Sequence, residues 1–245
     1  MKHVILSFGL AFLVALTSCH KAVVETVSTE MLPVDASLDA VQDSAYLVEL
    51  KDISAQLDSA LNVVIGAASQ PLTVHQPECP MLNWASDALL DEARKLYDGH
   101  VDVAIVNIGS MRCEWQAGNI TPRNVYELMP FDNELVVLTM MGEDLLELCQ
   151  IFAMDGGQGV AGLRMVAEDK QLAEATIDGK PIMPEAYYHV ATSDYLAGGT
   201  DHMTPFLNAV ETWHAEQKIR DLYIDWVREH HDVPAVVDGR MQIIN

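Results

Sequence analysis

The sequence predicts a mixed-sheet α/β domain, and three observations carry that prediction. Two near-continuous apolar runs, residues 102–108 (DVAIVNI) and 134–140 (ELVVLTM), read as strands covered on both faces. Stretches of helical apolar spacing alternate with them. Short neighbouring strands meet through tight turns without a regular βαβ beat, which fits mixed β-sheets packed with helices. The chain has 245 residues, half of them hydrophobic, enough to bury a sizeable core.

Residues 1–18 have the form of a lipoprotein signal peptide. Lys2 supplies the charge, residues 4–16 the apolar stretch, and Leu16-Thr17-Ser18-Cys19 the lipobox, in which a small residue precedes the thiol that receives a diacylglycerol. The run falls short of the ~20 apolar residues of a spanning helix. Residues 19–46 then read as an acylated Cys19 and a flexible tether interrupted by Pro33, and 47–245 as the folded domain. The expected location is the cell envelope, lipid-anchored on the outer membrane facing the periplasm or on the cell surface.

Within the domain, Leu50, Ile53, Leu57 and Leu61 form one helical stripe, and residues 63–66 a short strand. A helix over 80–97 starts with Pro80, lines up Leu82, Ala85, Leu89, Ala93 and Leu96, and is stopped by Gly99. The 102–108 strand ends in a turn at Gly109-Ser110. Thr121-Pro122 opens a helix to Met129 as N-cap and first helical residue. After the 134–140 strand, Gly142 breaks the run and a helix over 143–152 turns Leu145, Leu146 and Cys149 inward. Short strands follow at 163–167 and 175–177, the latter leading into an Asp178-Gly179 turn, then at 188–192. A helix over 219–230 and a strand over 240–244 close the domain.

Charge narrows the function. Fourteen basic residues face 36 acidic ones, a net −22 with no Lys/Arg run longer than two, so a nucleic acid is not an expected partner. An anionic ligand must be held by a few local donors. Beyond Cys19 the chain has Cys79, Cys113 and Cys149, an odd number without a CxxC pair, expected to be small buried hydrophobes.

Three segments put a turn directly after a strand or helix, where side chains can enter a cleft held by the scaffold. They are Val106 to Arg112 (VNIGSMR), Met129 to Asn133 (MPFDN) and Ser193 to Asp201 (SDYLAGGTD). Phe131 and Tyr195 are loop aromatics able to clamp a planar ring. Asn107, Asn133 and Asp201 offer groups that read ring edges and sugar hydroxyls, and Arg112 offers a cation for an anion. The set suits a nucleoside or nucleotide.

The order NIGSMR, PFDN, GLRM, DGK and DYLAGGTD, together with LNVVIG and the N-x-x-x-D-A-L string from Asn83, resembles the C-terminal domain of the 5'-nucleotidase family over about residues 50–239. That resemblance implies a domain that binds nucleoside monophosphates or nucleotide sugars while a separate N-terminal domain holds two metal ions and performs the hydrolysis. It implies that Arg112 contacts the substrate, Asn107 reads the nucleoside, Phe131 and Tyr195 sandwich the base, Asp201 bonds the ribose hydroxyls, and Asn133 lies near the base edge. The sequence departs from the family pattern at Ile108 and Ser110, which replace glycines, at Tyr195 in place of Phe, at Gly199-Thr200-Asp201 in place of Gly-Gly-Asp, and at Pro77, where members often carry an Arg.

A dimetal phosphoesterase needs Asp-x-His, Gly-Asp, Asn-His-Glu and Gly-His-x-His ligands to hold two ions ~3.5–4 Å apart. The chain has no Asn-His-Glu and no Gly-His-x-His; Asp98-Gly99-His100 stands before a strand without companion ligands, and His230-His231-Asp232 closes a helix. No catalytic residue and no metal ligand is therefore expected here, and the two divalent ions are expected on a separate metallophosphoesterase subunit. The expected function is the substrate-binding half of a split 5'-nucleotidase. The alternatives are a stand-alone nucleoside- or nucleotide-binding lipoprotein without catalysis, or a structural relic of the domain.

Overall fold

The computed structural model of the chain describes residues 28–31, 36 and 44–244. The signal peptide, Cys19 and most of the expected tether lie outside the described residues. The chain divides into two units, Met1–Leu50 and Lys51–Asn245. Among the described residues no helix is long and apolar enough to cross a membrane. The fold is mixed α/β, as the apolar patterning predicts, with three sheets.

The second unit is organised by a five-stranded sheet built from β2 (Val103–Val106), β4 (Glu134–Met141), β5 (Gly159–Ala161), β9 (Tyr187–Ser193) and β10 (Glu211–Lys218), in the order β10-β4-β9-β2-β5. β2 and β9 are parallel, whereas β4 is antiparallel to β9 with Leu135 opposite Ser193. Alternation along each strand divides the core in two. Ala104, Val106, Leu135, Val137 and Ala191 face one cluster with α2 (Pro80–Leu96), α3 (Pro122–Leu128) and α6 (Ile219–His230). Val103, Ile105, Val136, Leu138 and Val190 face the other, with α4 (Gly142–Asp155) and a four-stranded sheet. That sheet has the order β12-β6-β7-β8, from β6 (Leu163–Glu168), β7 (Gln171–Ile177), β8 (Lys180–Pro181) and β12 (Met241–Ile244). Coverage on both faces explains why β2 and β4 read as unbroken apolar runs.

A third sheet joins β11 (Asp232–Val233), β1 (Gly66–Ala68) and β3 (Gly118–Ile120). The expected strand at 63–66 thus begins later, and Val63 and Val64 are exposed. The helix α1 (Ser44–Leu61) exists, but its stripe is not core: Ile53 and Leu57 are 50% and 53% exposed. Asp58 on this helix accepts from Arg123 at 2.6 Å, and Asn62 just after it accepts from the same guanidinium at 2.8 Å. Gly142 begins α4 instead of separating it from β4, and it must be glycine because a side chain there would strike the Met183 carbonyl oxygen. The 3-10 turn Ile108–Ser110 ends β2 earlier than the apolar run does.

Cys79, Cys113 and Cys149 are free; Cys79 and Cys149 are buried, and burial pushes the Cys149 thiol up to about 12.

Candidate functional site

The topology brings three loops to one end of the five-stranded sheet. Parallel β2 and β9 both finish there, and antiparallel β4 starts there, so the segments after Val106, before Glu134 and after Ser193 converge. Asn107, Gly109, Ser110, Arg112, Phe131, Asn133, Tyr195 and Asp201 line one cleft of about 280 Å³. All six side chains singled out from the sequence are in it, and its volume is just under the ~300–1,000 Å³ of small-molecule sites.

The first loop is held from several sides. The Ile108 N–H donates to Gln158 Oε1 at 2.9 Å, and the Arg112 N–H to the Leu128 carbonyl at 2.8 Å. Asn107, 5% exposed, donates from Nδ2 to Asp201 Oδ2 and accepts at Oδ1 from the Ser110 hydroxyl. The Arg112 guanidinium stands 5.0 Å from the centre of the Phe131 ring, so one side of that ring already carries a cation.

The second loop hangs from α6. Arg220 donates from Nη1 to the Phe131 carbonyl at 3.1 Å and from Nη2 to Asp132 Oδ1 at 2.7 Å, with its guanidinium 4.2 Å over the Tyr126 ring. Lys218 and Arg220 hydrogen-bond the Asp132 carboxyl and hold it below the usual carboxylate range. Asp194 joins the second loop to the third. Its Oδ1 accepts from Asn133 Nδ2 at 3.1 Å, from Glu134 N–H at 3.1 Å and from Tyr195 N–H at 2.8 Å.

In the third loop the Ser193 hydroxyl caps α5 (Asp194–Ala197) by accepting from Leu196 N–H, and Thr200 bonds the Tyr195 carbonyl at 2.6 Å. The Tyr195 hydroxyl reaches Asp201 Oδ1 at 3.0 Å. Gly199 at φ 75° and Asp201 at φ 51° make the tight return that brings this carboxylate into the cleft.

Residues 64–208 match the family model described as 5'-nucleotidase, C-terminal domain. The chain belongs to this family. It is 27% identical over 211 residues to a probable 5'-nucleotidase of Treponema pallidum (strain Nichols), covering 74% of this chain and 36% of that protein. It is 30% identical over 105 residues to the 5'-nucleotidase of Vibrio cholerae, covering 41% of this chain and 19% of that one. The chain thus spans about a third or less of these curated relatives. In fold it resembles the 5'-nucleotidase precursor of Thermus thermophilus, with a TM-score of 0.73 at 24% identity over 80% of this chain and 42% of that one. The NAD nucleotidase of Haemophilus influenzae gives 0.66 at 19% identity over 86% and 41%.

In this 5'-nucleotidase C-terminal domain, Pro77 lines a separate shallow concavity with Gln76, Asp155 and Lys170 instead of the cleft. The cleft lining therefore carries one cation, Arg112, and one carboxylate, Asp201. Two residues escaped the sequence reading, Arg220 and Asp194. Both act on the loops through backbone or through another side chain, and the available signal was only that an arginine is scarce in so acidic a chain. Among the described residues no group of three or more His, Cys, Asp or Glu side chains could hold a metal ion. His100 lies 3.3 Å from Asp102 and is 64% exposed, far from the constellation a dimetal centre needs.

Proposed function

We propose that the cleft binds a nucleoside or nucleotide and that this chain serves as the substrate-binding half of a 5'-nucleotidase whose dimetal phosphoesterase is a separate chain. The observation that carries this reading is the convergence of Phe131, Tyr195, Asn107, Asn133, Asp201 and Arg112 on one cleft from loops up to 94 residues apart. Aromatic faces suit a base, amide and carboxylate groups suit base edges and sugar hydroxyls, and the guanidinium suits a phosphate. On this reading the two divalent ions and bond cleavage belong to the partner chain.

Incubated alone with AMP and a divalent metal, the full chain should release no phosphate. Release should begin when a metallophosphoesterase of about 300 residues lacking its own C-terminal domain is added, a size ordinary for such a domain. Metal-dependent turnover by the chain alone that disappears in His100→Ala would sink the proposal, as would a mixture as idle as its parts.

The Leu16-Thr17-Ser18-Cys19 lipobox supports a lipid anchor in the cell envelope. Cys19→Ala should move the protein from the membrane to the soluble fraction and abolish incorporation of labelled palmitate. Equal membrane retention of the variant and its parent would contradict the anchor.

A further inference from the structure

Four side chains of the cleft form one network of hydrogen bonds that converges on Asp201. Ser110 donates to Asn107 Oδ1, Asn107 Nδ2 donates to Asp201 Oδ2, and the Tyr195 hydroxyl donates to Asp201 Oδ1. The direction has a cause. The Ser110 proton needs an acceptor, which turns the Asn107 amide so that its NH2 group faces the carboxylate. Asp201 then receives one donor on each oxygen, which fixes its plane and keeps it an acceptor, with lone pairs left over for a ligand. Its backbone sits at φ 51°, in the left-handed region that aspartate tolerates better than most non-glycine residues.

Ser110 and Tyr195 stand where the family pattern noted above has glycine and Phe. Neither of those replacements could donate through its side chain. Both ends of this network are thus particular to this sequence, and both bear on one carboxylate.

We infer that Tyr195 and Ser110 are specificity-determining positioning residues: they hold Asp201 as a rigid double acceptor for a vicinal diol, so that the cleft selects ribosides over free bases and over sugars lacking one hydroxyl. The inference rests on the nucleoside reading of the cleft. Tyr195 then serves both halves of a ligand, its ring for the base and its hydroxyl for the sugar reader.

Calorimetric titration of the full chain with adenosine, 3'-deoxyadenosine and adenine tests it. Tyr195→Phe keeps the ring and deletes one donor to a charged group. The preference for adenosine over adenine should fall about tenfold, because the lost donor acts on the carboxylate that reads the sugar. Ser110→Ala should lower the same ratio about threefold, and Ser110→Thr, which keeps the hydroxyl, should restore it. The 3'-deoxy compound should bind parent and Tyr195→Phe more nearly alike than adenosine does. An adenosine-to-adenine ratio unchanged in Tyr195→Phe overturns the inference and leaves the nucleoside reading standing. A parent that binds neither compound at millimolar concentration overturns both.

Discussion

Phe131→Ala and Tyr195→Ala should each weaken adenosine binding about 5- to 150-fold, and the double variant should leave little binding. Base–aromatic stacking contributes ~1–3 kcal/mol per base, and ~1.4 kcal/mol is a factor of ten. The rings sit 64 residues apart in sequence and line the same cleft, so the losses should extend to adenine as well as its riboside. Arg112→Ala should behave differently. Its guanidinium is the cleft's one cation, and losing it should weaken AMP more than adenosine, because a charge-assisted bond to an anion disappears. Adenosine is not wholly spared, since the same guanidinium lies over the Phe131 ring, a contact of ~0.5–1 kcal/mol at an exposed site. The titrations needed are those of the single and double variants with adenosine, AMP and adenine. A parent protein that binds none of the three would leave the domain a structural relic.

Much of this cleft was legible because its residues stand at strand ends. β2 and β4 are buried on both faces, so their apolar runs are unmistakable, and the polar residue that interrupts each run marks the loop. Asn107 stands out that way, whereas Asp201 follows a Gly-Gly turn beyond its strand and Asn133 is singled out by the family resemblance. Arg220 was not, because its purpose lies in a bond to the Phe131 carbonyl 89 residues distant, which no local pattern encodes. Likewise the role of Asp194 depends on the pairing of Leu135 with Ser193.

The elements show the same division. The amphipathic α6 matches its expected bounds of 219–230, since seven buried residues share one face of it. β10 gave no strand signal. It lies at the edge of its sheet, carries Glu211, Glu216 and Lys218, and bulges where Glu216 adopts φ 55°, features that blunt an edge against further pairing. The α1 stripe has the expected helical period, yet Ile53 and Leu57 on it are exposed. Periodicity says which residues share a face, not what covers that face.

Arg240→Ala should destabilise the domain by about 2–4 kcal/mol. Arg240 is 11% exposed and spreads its guanidinium over three partners. It binds Asp87 on α2 through both oxygens at 2.6 and 3.1 Å, Asp238 at 3.0 and 3.1 Å, and the Val160 carbonyl of β5 at 3.0 Å. Beside it the buried Glu78 accepts from the Asp238 and Gly239 N–H groups at 2.9 and 3.2 Å and from Asn83 at 2.7 Å. These bonds staple the segment before β12 to α2. Without the guanidinium, Asp87 and Asp238 face each other in a chain of net charge −22, with the half-exposed Arg164 as the remaining cation on Asp238 beside the backbone N–H of residue 240. The cost stays below that of a fully buried pair because Asp87 is 46% exposed.

In a melt the loss should appear as a fall in Tm of about 5–15 °C, at ~2–4 °C per kcal/mol for a domain of this size. Arg240→Lys should fall between, since an ammonium keeps the charge and loses the fork. The acid side gives the sign. The hydrogen bond from Arg240 holds the Asp238 carboxyl below its ordinary value of 3.8, so its contribution is present above that pH and is lost as pH falls through the lowered value. Asp87 pulls the other way, because burial raises its carboxyl against the bonds from Arg240. The gap between parent and Arg240→Ala should therefore be constant near neutrality and narrow as pH falls into the carboxylate range, beginning above the ordinary value because Asp87, already raised beside Arg240, is raised further without it. Parent and variant melting together at neutral pH would show that the staple closes over a segment already held by the pairing of β12 with β6, and that the ion pairs merely decorate it.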